Sequence, residues 1–299
     1  MTRNLKYTSA ILGLVVFVFA GPTSASVFDG ESKYAKLNGA RVHYKSYGQG
    51  REALVLVHGW GCRMGHWRDQ ISDFSKRNRV VTLDLPGHGE SDKPQIAYNM
   101  DLFANAIEAV MRDAKVEKAV VVGHSMGTPV ARQFYRKYPQ KTLGIIIVDG
   151  GLRPFGTKEM REQFLAMFRS PNYKEASAQM FAQMIGTLGP ADQERVKSSF
   201  GATPQYVLVS AMESMNQDSL YGPDKMNVPV FAIIAKSPFW LADTEEFFRS
   251  LAPDFEIQWW EGVGHFLMME KPKQFNDAVI AFLDKKALLK QDTKPTKGE

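Results

Sequence analysis

The sequence predicts an α/β fold: a mostly parallel central sheet with helices on both faces and a block of helices inserted between two strands. Three observations carry this reading. The runs ALVLV (53–57), KAVVV (118–122) and LGIIIV (143–148) have strand length and are apolar almost throughout, as strands covered on both faces require. Helix-like stretches at 99–114, 128–138 and 272–285 are interleaved with them, the order of a sheet whose crossovers are helices. The segment 152–221 contains no β-branched run and reads as three or four helices.

The remaining elements follow along the chain. Residues 1–25 read as a signal peptide: a short basic start with Arg3 and Lys6, an apolar run of about 11 residues, then small residues with a cleavage site after Ala25. A bilayer-spanning helix needs about 20 apolar residues, so export to the periplasm or medium without a lasting anchor is expected. Next, YAKLNGARVHYKSYG is two alternating runs joined by Asn38-Gly39, the strongest short hairpin signal. RVVTLDL (79–85), VPVFAII (228–234) and FEIQWW (255–260) complete the strands. The expected organisation is a core of 26–151 and 222–285, a helical cap at 152–221 and a polar tail at 286–299. In the cap, Ala176, Met180, Phe181, Met184, Ile185 and Leu188 share one predicted helix face, and Leu208, Met212 and Met215 another. Six of the chain's 14 methionines fall there, which suits a pocket that adapts to apolar ligands.

The composition narrows the function. The 299 residues are 44% hydrophobic and 23% charged, the balance of a soluble globular protein. The net charge is +5, and basic residues are interspersed with acidic ones without a long block, so nucleic-acid binding has no support. There is no metal-spaced His/Cys cluster and no glycine-rich phosphate loop, so neither metal nor cofactor is called for. Cys62 is the only cysteine and cannot form an internal disulfide. Its place in the loop HGWGCRMG suits a small buried side chain better than a nucleophile.

Chemistry enters at Gly123-His124-Ser125-Met126-Gly127, which follows one predicted strand and precedes a predicted helix. A serine on such a strand-to-helix turn is lifted above the sheet at the positive end of a helix, and the flanking glycines remove Cβ atoms that would collide. Together with His58-Gly59-Trp60, DLPGHGESDKP (84–94) and GVGHFLMMEKP (262–272), in this order, the chain resembles the α/β-hydrolase superfamily from about Tyr34 to Leu283. The resemblance implies Ser125 as nucleophile, His265 as general base, and an oxyanion hole from the backbone N–H groups of Trp60 and Met126.

The acid is where the chain departs from the family. The usual aspartate after the strand 228–234 is missing, for that stretch reads Ala235-Lys236-Ser237-Pro238-Phe239-Trp240. Some family members place the acid one strand earlier, where this chain has Asp149. Asp243 competes, although Asp243-Thr244-Glu245-Glu246 reads better as a helix N-cap with a capping-box glutamate. Asp84 and Asp92 read as loop braces. The expected function is hydrolysis of a carboxylic ester or related acyl bond on a small, largely apolar substrate, with Trp60, Met126, Trp240, Phe266 and Met269 flanking the pocket. A serine at the elbow argues against the epoxide hydrolases and dehalogenases of this fold, which use aspartate there. Two alternatives stay open: haloperoxidase-like or lyase chemistry on the same triad, and a binding protein that has lost catalysis.

Overall fold

A computed structural model describes residues 30–289. An eight-stranded sheet forms its centre: β1 (Lys33–Leu37), β2 (Ala40–Tyr47), β3 (Glu52–Val57), β4 (Arg79–Leu83), β5 (Lys118–His124), β6 (Thr142–Val148), β7 (Val230–Ala235) and β8 (Phe255–Trp260). Their spatial order is β1-β2-β4-β3-β5-β6-β7-β8. The pairs β1/β2 and β2/β4 are antiparallel, and every later pair is parallel. The β1–β2 turn places Asn38 and Gly39 at φ +49° and +86°, the two left-handed positions that an Asn-Gly hairpin supplies at least cost.

Among the described residues the α-helices are α1 (Arg68–Ser75), α2 (Met100–Asp113), α3 (Gly127–Lys137), α4 (Lys158–Arg169), α5 (Tyr173–Ile185), α6 (Pro190–Ala202), α7 (Gln205–Met215), α8 (Thr244–Leu251), α9 (Leu267–Glu270) and α10 (Pro272–Lys285). Successive strand residues face opposite sides, so the apolar runs feed two cores at once. Val55, Val57, Val121, Ile145 and Ile147 meet Phe103, Ile107, Val130, Phe134 and Phe248 of α2, α3 and α8. Leu54, Leu56, Val120, Val122, Ile146 and Val148 meet Ile71, Phe74, Phe275, Val279 and Phe282 of α1 and α10. That second core continues to Leu289, which is buried.

Helices α4 to α7 form the insertion between β6 and β7, around a core of their own built on Phe168, Tyr173, Phe200 and Leu208. Their helical phase follows the sequence reading except at Ala176, and two serines join the inward faces. In α5 Ala176 is exposed, Met180, Phe181 and Met184 are half-buried, and Tyr173, Ser177 and Ile185 are buried, with Leu188 buried just beyond the helix. In α7 the buried face is Val207, Leu208, Ala211 and Ser214, with Met212 and Met215 half-buried. Serine takes part because its hydroxyl finds work: Ser210 and Ser214 accept the N–H groups of Tyr98 and Met100, tying α7 to the start of α2. Among the described residues no helix is long and apolar enough to cross a membrane. The signal-peptide reading of residues 1–25 and the sequence KQDTKPTKGE at the end of the chain lie outside the described residues.

Candidate active site

The turn after β5 has the strained geometry that the glycine spacing implies. Ser125 sits at φ +53°, a left-handed conformation that costs a non-glycine residue on the order of 1 kcal/mol. Its N–H donates to Val148 O at 2.9 Å, and its carbonyl accepts Thr128 N–H at 2.9 Å, locking the entry to α3. A Cβ on Gly123 would stand 2.2 Å from Gly127 O, and one on Gly127 would stand 2.6 Å from Val57 O. Neither contact involves a movable side chain, so only glycine fits either position.

Asp149, at the end of the neighbouring strand β6, is also left-handed, at φ +44°. That turn carries its carboxylate over the end of β7, where Oδ1 accepts Ala235 N–H at 2.9 Å. Oδ2 lies 2.6 Å from Nδ1 of His265, which therefore donates. Both oxygens are engaged, and the imidazole is left with Nε2 as its free nitrogen. The missing acid at the end of β7 is thus matched by a backbone N–H of the same strand that fixes Asp149.

Burial separates His265 from the other histidines. His43, His58, His66, His88 and His124 are at most 1% exposed, whereas the His265 side chain is 23% exposed. Burial pushes the pKa of His58 down, takes His66 and His88 to about 3, and holds His124 well below the usual imidazole range. These four stay neutral at neutral pH and act as hydrogen-bonding struts. His124, next to Ser125, donates from Nε2 to the backbone carbonyl of His265 at 2.9 Å, with ring centroids 4.7 Å apart. The residue before the serine therefore braces the loop that carries His265, a link with no signal in the sequence beyond the motif itself.

The loop after β3 approaches from the other side. A Cβ on Gly59 would lie 3.1 Å from Ser125 Cβ, which places the His58–Trp60 segment against the serine. His58 Nδ1 donates to Gly59 O at 2.8 Å while Nε2 accepts Leu85 N–H at 3.0 Å. Asp84 takes Met64 N–H, Glu90 N–H and His43 Nδ1 at 2.8 to 3.0 Å, so it braces these loops. Asp92 does the same for Arg41, accepting its N–H at 2.8 Å. Among the described residues, neither the Trp60 nor the Met126 N–H has a protein acceptor. The Trp60 indole donates to Leu208 O of α7 at 2.9 Å and packs among Phe164, Phe168 and Phe200.

Two sequence readings need correction. Asp243 precedes α8 but makes no side-chain cap bond. Its carboxylate goes to Arg153, with Nη1 donating to Oδ2 at 3.0 Å, and that cation holds the Asp243 carboxyl below the ordinary range. Phe266 and Met269 are 1% and 5% exposed, and Met126 is buried too, so these side chains are packed in the interior and do not lie on an open surface. His66, in the helical turn Met64–Trp67, is tied to the inserted helices, its Nε2 bonding Ser199 Oγ of α6 at 3.0 Å. Cys62 is buried, which pushes its thiol up to about 12 and leaves it inert. Among the described residues no His/Cys/Asp/Glu group is arranged to hold a metal ion.

A mostly parallel sheet with a serine on the strand-to-helix turn, and a carboxylate–imidazole pair on the following strand ends, defines a hydrolase of the α/β class. The profile of the Alpha/beta hydrolase family matches residues 54–278, and the chain belongs to that family. An uncharacterized protein of Mycobacterium tuberculosis is 26% identical over 278 residues, covering 84% of this chain and 81% of the relative. Epoxide hydrolase 4 of Mus musculus is 31% identical over 141 residues, 46% of this chain and 39% of that protein. The structure of Est816, described as an N-acyl homoserine lactone degrading enzyme, superimposes with a TM-score of 0.73 at 25% identity, over 84% of this chain and all of Est816.

Proposed function

We propose that the protein hydrolyses carboxylic esters of small to medium, largely apolar substrates through an acyl-enzyme on Ser125. The observation that carries this reading is the 2.6 Å contact between Asp149 and His265 Nδ1, which leaves Nε2 as acceptor for the serine proton. Ser125 Oγ attacks the acyl carbon as His265 takes its proton, and the developing oxyanion is received by the N–H groups of Trp60 and Met126. Two such donors are typically worth about 3 kcal/mol each in the transition state. The imidazolium returns its proton to the departing alkoxide. Water, deprotonated by the same nitrogen, then releases the acid.

The aromatic surroundings of Trp60 favour an uncharged acyl group. Cyclic esters suit the same attack, and the likeness to Est816 supports including lactones in a substrate survey. The epoxide hydrolase likeness carries less weight, because the elbow of this chain holds serine and no carboxylate nucleophile. A panel of p-nitrophenyl esters of increasing chain length, run beside strongly anionic esters and simple lactones, tests the reading. Turnover of the uncharged esters that is lost in Ser125→Ala supports it. Equal or faster turnover of the anionic esters contradicts the apolar pocket.

A further inference from the structure

Glu270 ends α9, five residues beyond His265, and the ester-hydrolysis reading gives it no role. Its carboxylate accepts Gly264 N–H on both oxygens, at 2.9 and 3.1 Å. Oε1 also accepts the hydroxyl of Thr187 at 2.8 Å. Gly264 directly precedes His265, and Thr187 lies in the connection between α5 and α6. One carboxylate therefore holds the base loop and the inserted helices together. A Cβ on Gly264 would fall 2.4 Å from Thr187 Oγ1, so even alanine would displace the Thr187 hydroxyl from its present position.

The chemistry suits a latch. Hydrogen bonds to a carboxylate are shorter and stronger than neutral ones, yet the Thr187 end is exposed to solvent and can be exchanged for water at little cost. Misplacing a catalytic group by about an ångström can cost on the order of a hundredfold in rate. Gly264 has no side chain to restrain its own backbone, so its N–H needs an external anchor if His265 is to keep its place beside Asp149.

We propose that Glu270 is a positioning residue for His265, and that Thr187 makes the seating of the α5–α6 segment a condition of that positioning. With the segment seated, Thr187 orients the carboxylate on Gly264 N–H and the imidazole is fixed. With the segment lifted, Glu270 keeps only the Gly264 contact and the base loop gains freedom. This inference rests on His265 being the general base.

The test is steady-state kinetics on p-nitrophenyl butyrate with Thr187→Val, Thr187→Ser, Glu270→Gln and the Thr187→Val/Glu270→Gln double variant. Thr187→Val should lower kcat about threefold to tenfold, the net worth of one typical solvent-accessible hydrogen bond, with KM held within about twofold. Thr187→Ser should restore kcat. Glu270→Gln should cost at least as much as Thr187→Val, and the double variant no more than Glu270→Gln alone. An unchanged kcat in Thr187→Val, or losses that multiply in the double variant, would overturn the latch. Fluorophosphonate labelling of wild-type Ser125 separates the two readings. Labelling together with an unaffected Thr187→Val removes the latch alone, and absence of both labelling and turnover removes the ester-hydrolase reading and the latch with it.

Discussion

Asp149 and His265 meet across the ends of two parallel strands, with Oδ2 2.6 Å from Nδ1 and the second oxygen held by Ala235 N–H at 2.9 Å. An asparagine at 149 would place its carbonyl on one partner and its amide on the other. With the carbonyl on Ala235 N–H, the amide faces Nδ1 and imposes the wrong imidazole tautomer. Asp149→Asn should therefore lower kcat by around 10⁴-fold with an unchanged circular dichroism spectrum. Asp243→Asn, which loosens an exposed pair with Arg153, should leave kcat nearly intact and the midpoint of a denaturant melt almost unmoved. The reverse ranking would transfer the acid role to Asp243.

Trp60 joins the proposed oxyanion hole to the inserted helices. Its backbone N–H has no protein acceptor among the described residues, while its indole N–H is spent on Leu208 O at 2.9 Å. Trp60→Phe keeps an aromatic ring and removes that bond. A loss of about 1 kcal/mol in stability is expected. The affinity for a boronic-acid transition-state analogue should weaken more than that for the product acid. Equal weakening of both ligands would assign Trp60 to packing alone.

The buried histidines set the acid limit of the fold. His66 and His88 have folded pKa values near 3, below the unfolded value near 6.5. The unfolded chain thus binds more protons at these sites, and their contribution is complete above about pH 6.5 and falls away as pH drops toward 3. At pH 5 each would forfeit on the order of 2 kcal/mol. His66→Gln retains a donor for Ser199 and does not titrate. Thermal melts from pH 7 to pH 4.5 should show a shallower decline in Tm for that variant than for the wild type. Identical slopes would mean that His66 is not held neutral.

The parallel strands were legible because the sheet buries them on both faces and leaves unbroken apolar runs. The inserted helices were legible as helices, and their apolar faces were legible except at Ala176, which is exposed. Ser177 and Ser214 are buried although serine gives no apolar signal, because the hydroxyl of Ser177 donates to Lys174 O and that of Ser214 accepts Met100 N–H. Helix α1 gave little signal: in RDQISDFS only Gln70, Ile71 and Phe74 are buried. Asp243 misled because a cap is a local pattern, and Arg153, ninety residues away in sequence, takes its carboxylate. The proximity of Asp149 to His265 could be anticipated from the strand that ends in it and from the acid missing after β7. The contacts of His124 with the His265 carbonyl and of Glu270 with Thr187 join distant segments and leave no trace in spacing.

Export is a separate proposal, resting on Arg3 and Lys6 before the apolar run and on Thr23-Ser24-Ala25 after it. Protein recovered from periplasm or medium should give an intact mass beginning at Ser26. Full-length chain recovered from the membrane fraction would refute cleavage.

The central claim is that Ser125 carries the acyl group. Acid-quenched samples taken during turnover of a p-nitrophenyl ester, digested and mapped by mass spectrometry, test it directly. The acyl mass should appear on the peptide containing Ser125, vanish in Ser125→Ala, and form far more slowly in His265→Ala. An acyl adduct on any other residue, or ester turnover undiminished in Ser125→Ala, would contradict the account.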